Sequence, residues 1–127
     1  MKLTNKQILH ELHPSLTSLS KIQLKGVGVE DIMKIARNLK GANRIVEEIN
    51  SAKDIIFQKH CEKNEDGTPI VRDGKFAMTD EFTAQKELLQ LLEKKSELKI
   101  EKIKESIFLE VSGLTAEIML GLICILD

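Results

Sequence analysis

The chain contains no Trp and no Tyr, and only four Phe among its 127 residues. Interfaces anchored by large aromatic side chains therefore have little to draw on, and aliphatic helix-on-helix packing, which suits a homodimer, is the expected mode of association. Two cysteines, Cys61 and Cys124, are too few for a disulfide framework in a chain of this length and point to a reducing compartment. Neither sign of charge predominates: 19 Lys plus Arg against 20 Asp plus Glu leave a formal net charge of -1. That balance removes the electrostatic case for a phosphate-backbone binder, so no nucleic acid is expected as a partner. Long apolar runs are missing too. The longest, Ile118 to Leu126, is nine residues including Gly121, about half of what a membrane span needs, and it reads as a buried element. No membrane association is expected, no signal-peptide pattern opens the sequence, and the expected location is the cytoplasm.

What is present is a globular composition, 42% hydrophobic and 31% charged, at the size of one domain. The densest charged stretch, Glu93 to Glu105, interleaves Lys and Glu as a solvated face does. Thr4 and Gln7 have the spacing of a capping box, and Ile8, Leu9, Leu12, Leu16 and Leu19 follow at helical intervals. Pro14 predicts a kink or break there. Ile22 and Leu24 alternate with polar residues as a brief extended piece ended by Gly26-Val27-Gly28.

The strongest periodicity runs over 29–62. Ile32, Ile35, Ala36, Leu39, Ala42, Val46, Ile49, Ala52 and Ile56 keep a three-four rhythm, and Glu30 and Asp31 sit where a helix dipole favours acids. A helix of that length spans about 50 Å, whereas a compact domain of this size is about 36 Å across. The helix is therefore expected to overhang the domain, bend at Gly41, or pack against another chain. After the turn Asn64-Glu65-Asp66-Gly67, residues 66–78 predict a β-hairpin closed by Asp73-Gly74, which supplies the positive φ angles of a two-residue turn. Thr79 or Asp80 caps a helix over 79–95, expected to pack antiparallel on the long helix. Leu98, Ile100 and Ile103 fit an edge strand or more helix, with extended structure favoured, and Thr115 caps an apolar helix over 115–126. The expected architecture is mainly α: a helical bundle or hairpin built on one long central helix, with a small β-hairpin insertion and a short edge strand.

Candidate sites fail on specific residues. Glu62, Asn64, Asp66, Gly67, Thr68 and Asp73 approximate a calcium loop, but Glu62 opens it, Pro69 interrupts it, and the closing bidentate Glu is replaced by Asp73. Gly26-x-Gly28 lacks the third glycine of a dinucleotide loop and puts Asp31 in its place. His10, His13, His60 and Cys61 lack zinc-ligand spacing, and adjacent helical side chains diverge by about 100°, so His60 and Cys61 do not aim at one point. No catalytic, cofactor or metal residues are assigned, and no enzyme is expected. The candidate site is instead a protein-interaction surface on the hairpin: Asp66, Ile70, Arg72, Lys75 and Phe76.

Four runs carry a resemblance. Lys34-Ile35-Ala36-Arg37-Asn38-Leu39, the turn Glu62 to Gly67 followed by Gly74-Lys75-Phe76, the helix with Glu87-Leu88-Leu89, and the opening Lys2-Leu3-Thr4-Asn5 together resemble an uncharacterised family of small proteins of tailed phages and prophages of low-GC Gram-positive bacteria. The sequence departs from that pattern at Gly26-Val27-Gly28, where a Leu-Pro-Val-like segment is expected. The resemblance implies origin in a phage and carries over no activity and no functional residues; the long amphipathic helix and the exposed hairpin, without catalytic residues, lead to the expectation of a protein partner from host or phage. Two roles follow as expectations: an accessory factor that blocks or redirects a host protein such as a defence component, or a structural or assembly protein of the virion.

Overall fold

The computed structural model describes residues 1–127, of which 57% are helical. The element order is β1 (Lys2–Thr4), α1 (Asn5–Gln7), a π-helical turn (Ile8–Leu12), α2 (His13–Ser20), α3 (Val29–Lys59), β2 (Val71–Arg72), β3 (Lys75–Phe76), α4 (Glu81–Glu93), β4 (Lys95–Glu97) and α5 (Ala116–Gly121). Short 3-10 turns at Glu105–Phe108 and Ile123–Ile125 complete it. β1 pairs antiparallel with β4, and β2 with β3. No helix is long and apolar enough to cross a membrane.

The helix starts obey local rules. Thr4 Oγ1 accepts from the Gln7 amide at 3.1 Å while Gln7 Oε1 accepts from the Thr4 amide at 2.9 Å, completing the capping box. Asp80 caps α4 through the Thr83 amide, and Thr115 caps α5 through the Ile118 amide. The expected break at Pro14 does not occur. A π-helical turn precedes it, in which the His13 amide reaches back to the Ile8 carbonyl, and Pro14 then occupies the first turn of α2. There its missing N–H costs little, and the path stays helical from Asn5 to Ser20. The extended piece expected at Ile22 and Leu24 is instead a turn, with Gly26 at φ +81° and Gly28 at the start of α3.

Helix α3 ends at Lys59 rather than at 62. The His60 carbonyl there accepts from the Thr79 amide, the Thr79 hydroxyl and the Asp80 amide, which turns the chain into β-bridges. Gly41 does not interrupt the helix; its bare Cα admits Leu98, whose Cδ1 would stand 3.1 Å from an added Cβ. The buried stripe is Ile35, Asn38, Ala42, Ile45 and Ile49, whereas Ile32 and Ala36, expected inside, are exposed. A one-notch rotation of the face explains the difference, because Asn38 is buried by hydrogen bonding and not by hydrophobicity. Its Nδ2 donates to the Glu101 carbonyl and its Oδ1 accepts from the Glu101 amide, both at 2.9 Å. Arg37, one residue back, holds the Glu101 carboxylate with two donors, one at 3.0 Å.

Helix α4 runs back along α3 from Lys59 and His60, which flank Glu87, towards the segment after Leu98 that crosses α3 at Arg37 and Asn38. It stops at Glu93, short of 95, because Lys94 turns extended and Lys95 joins β4. Asn5 receives its free end: the Asn5 amide donates to the Lys94 carbonyl and Asn5 Nδ2 to the Leu91 carbonyl, both at 2.8 Å. The segment 98–104 is neither the edge strand nor the helix expected there; its one ladder contact is the parallel bridge of Ile103 with Leu126. The C-terminal helix expected over 115–126 is split. α5 closes at Gly121 and a 3-10 turn follows, so that Leu122 and Ile125 are fully buried while Leu120 and Ile123 stay 67% and 60% exposed. The core joins Ile8, Leu12, Leu16 and Leu19 to the α3 stripe, Leu98, Ile103, Leu122 and Ile125.

The Arg37–Glu101 pair carries a pH prediction. Hydrogen bonding from Arg37 holds the Glu101 carboxyl below its ordinary value. A depressed carboxyl contributes stability above its unfolded value and loses it as the pH falls through the folded one. Stability should therefore decline below the ordinary carboxylate range, and Arg37→Met should flatten that decline. Urea midpoints measured from neutral to acid pH test this; parallel profiles for the two proteins would refute it.

Candidate functional site

The hairpin forms as its turn residues dictate. Asp73 and Gly74 take φ of +52° and +75°, so Val71 faces Phe76 and Arg72 faces Lys75. It is not an insertion standing alone. The Glu62 amide donates to Ala77, and the Ile70 amide donates to Glu62, so residues 61–64 at the end of α3 pair with both the 68–70 and the 77–78 stretches.

The five candidate residues separate. Phe76 and Lys75 line a recess of about 630 Å³ between the last turns of α3, the hairpin and the first turns of α4. Phe57, Val71, Met78 and Phe76 form its apolar wall, and Lys75, Glu81 and Gln85 its polar edge. Asp66, Ile70 and Arg72 do not line it. The Asp66 carboxylate accepts from the Thr68 hydroxyl at 2.6 Å and the Thr68 amide at 3.0 Å, which pull its pKa below the ordinary value. It shapes the turn at Gly67. Arg72 pairs with Glu62 at 2.8 Å, and half-buried Ile70 is bonded on both sides of its backbone.

Sequence reasoning missed Phe57, Val71 and Met78. Val71 stands directly opposite Phe76 and Met78 lies two residues beyond it, so the three fall on one face, which was the available signal. Phe57 lies about two turns past the core stripe and gave none. Beyond the recess, Phe82 and Leu89 are 82% and 60% exposed; seven residues apart, they share the face of α4 opposite buried Ala84.

Beneath the hairpin, His60 Nε2 is buried 3.2 Å from Glu87 Oε1, a contact whose geometry falls short of a hydrogen bond. Lys59, and then His60, hold the Glu87 carboxyl below its ordinary value. Cys61 has its Sγ 3.2 Å from the Gln58 carbonyl; both neighbours lie past the end of α3, so the helical divergence expected of them does not apply. His13 Nε2 lies 2.6 Å from Asn43 Oδ1, binding α2 to α3. No three His, Cys, Asp or Glu side chains gather as a metal site. A second groove of about 810 Å³ lies between the π-helical turn and α5, lined chiefly by polar residues such as His10, Glu11, Ser18 and Glu117.

Fold and recess together define a mainly α protein with two small antiparallel sheets and an open apolar recess at one end. No family model matches the chain, and no curated protein or solved structure is significantly similar to it.

Proposed function

We propose that the protein works by binding another protein with its hairpin end, as a phage-encoded accessory factor that inhibits or redirects a host protein. The observation that carries this reading is the recess walled by Phe57, Val71, Phe76 and Met78, with Val71 57% exposed at its mouth. Apolar side chains presented in a concavity with a charged edge have the anatomy of an interface core and rim. Phe76 is the anchor of that surface. Capture from host lysate, followed by affinity measurement on the purified pair, tests it. Phe76→Ala is expected to weaken binding by about thirtyfold, the effect of truncating a central aromatic anchor. A partner held equally well by Phe76→Ala would make the hairpin a connector.

The second reading, a structural or assembly protein of the virion, draws on the exposed outer face of α3. Absence from purified particles and from assembly intermediates would remove it.

A further inference from the structure

The outer face of α3 is built to match itself. Opposite the buried stripe, Met33, Lys40, Arg44, Glu47, Ser51 and Ile55 recur at helical spacing along one side. Met33 is 52% and Ile55 66% exposed, and Val29, one turn before Met33, is 75% exposed. The flanks of this face are fixed: Asn43 is held by His13 on one side and Arg37 by Glu101 on the other. The strip between them is open.

Charge on α3 is segregated. Residues 34–44 contain Lys34, Arg37, Lys40 and Arg44 and no acid. Glu47, Glu48 and Asp54 follow, with Lys53, about five turns after buried Ile35, on the packed side. Between the acids of the first turn, Glu30 and Asp31, and Lys59 of the last, a basic stretch followed by an acidic one is complementary to its own reverse. Apolar residues at both ends, Met33 and Ile55, obey the same reversal.

We infer that a second copy of this chain docks on the outer face of α3, the two helices antiparallel about a twofold axis near Asn43 and Arg44. In that arrangement Lys40 meets Glu47 of the other copy, Ala36 meets Ser51 where small side chains permit close approach, and Met33 meets Ile55. Each contact occurs twice, as an isologous interface requires. Arg44 lies near the axis, but its Nη1 is 3.0 Å from Glu48 within the same helix, so the axis does not set two unpaired cations against each other. Thirty-one residues of helix give a strip about 46 Å long and about 10 Å wide. Covering it on both copies buries on the order of 900 Å², well below the roughly 1,200–2,000 Å² of a standard stable interface. The dimer is accordingly weak, in exchange with monomer, and sensitive to salt.

Sedimentation of the full chain from micromolar to near-millimolar concentration, at low and high ionic strength, tests this. Mass should rise towards that of two chains with concentration, and the rise should shrink in high salt. Lys40→Glu sets a carboxylate against Glu47 of the other copy on both sides of the axis, and Glu47→Lys sets an ammonium against Lys40 there; each alone should lose about tenfold or more in association. An equimolar mixture of the two variants restores opposite charges on one side of the axis by pairing the introduced acid with the introduced base, and on the other by pairing the native Glu47 of one variant with the native Lys40 of its mate. It should dimerise as the parent does. Circular dichroism checks that each variant remains helical. A parent that stays monomeric throughout would overturn the inference. So would a dimer indifferent to salt and to Lys40→Glu, or a mixture that fails to recover association. Because this face is remote from Phe76, Phe76→Ala should leave self-association unchanged, which keeps the outcome separable from that of partner capture.

Discussion

Gly121→Ala is expected to cost about 3 kcal/mol and to lower the melting temperature by about 10 °C, as overpacking at a close contact does in a chain of this size. The reason is a helix crossing without spare volume. A Cβ at position 121 would lie 1.9 Å from Ser15 Oγ, 2.8 Å from Ser15 Cβ and 2.5 Å from the Glu11 carbonyl oxygen. The hydroxyl can rotate away, but the carbonyl belongs to the π-helical turn and the Ser15 Cβ to α2. Ser15→Ala is therefore expected to leave Gly121→Ala nearly as destabilised. Thermal unfolding of the single and double variants checks this, and full recovery in the double variant would show that only the hydroxyl was in the way.

Asn38→Ala is expected to cost about 2–4 kcal/mol, because it strips both partners from the Glu101 backbone in a half-buried setting. The consequence should reach beyond one residue. Leu98 and Ile103, both in the core, lie on the same segment as Glu101, and the side-chain amide supplies backbone pairing that the segment has from no neighbouring strand there. Asn38→Asp should be worse at neutral pH. A carboxylate accepts from the Glu101 amide but faces the Glu101 carbonyl with an oxygen in place of a donor, and it adds charge in a buried position. Acid should partly rescue it by protonating that oxygen. Urea denaturation at neutral and acid pH measures both effects; equal stability of the Ala and Asp variants at neutral pH would exclude this account.

The elements legible in the sequence are those fixed within a few residues. Thr4 with Gln7, Asp80 with Thr83, Thr115 with Ile118 and the Asp73-Gly74 turn are local chemistry, and all four stand where the residue types place them. The existence of α3 was equally plain, but its inner face was not. Asn38 looks like a surface residue until the Glu101 backbone arrives from 63 positions away. Pairing of β1 with β4 had no sequence signal, since three-residue strands written Lys-Leu-Thr and Lys-Ser-Glu show no hydrophobic alternation. Of the candidate site, the turn was legible and so was the prominence of Phe76. The recess was not, because Phe57 reaches it only through the packing of α3 on the hairpin. Asp66 is employed within its own turn, by Thr68, and Arg72 ties β2 to Glu62 at the end of α3.

The joining of the two ends of the fold governs when this protein can fold during its synthesis. Leu12 and Leu16 emerge from the ribosome long before Leu122 and Ile125, with which they are sealed in one cluster, and β1 waits for β4. Loop closure of that length precedes the reward of those contacts. The nascent chain can therefore cover α2 on its α3 side only, and the side that meets Leu122 and Ile125 stays unshielded until those residues have been made, so that premature release would leave a fragment with part of that helix bare, prone to clumping and to capture by chaperones.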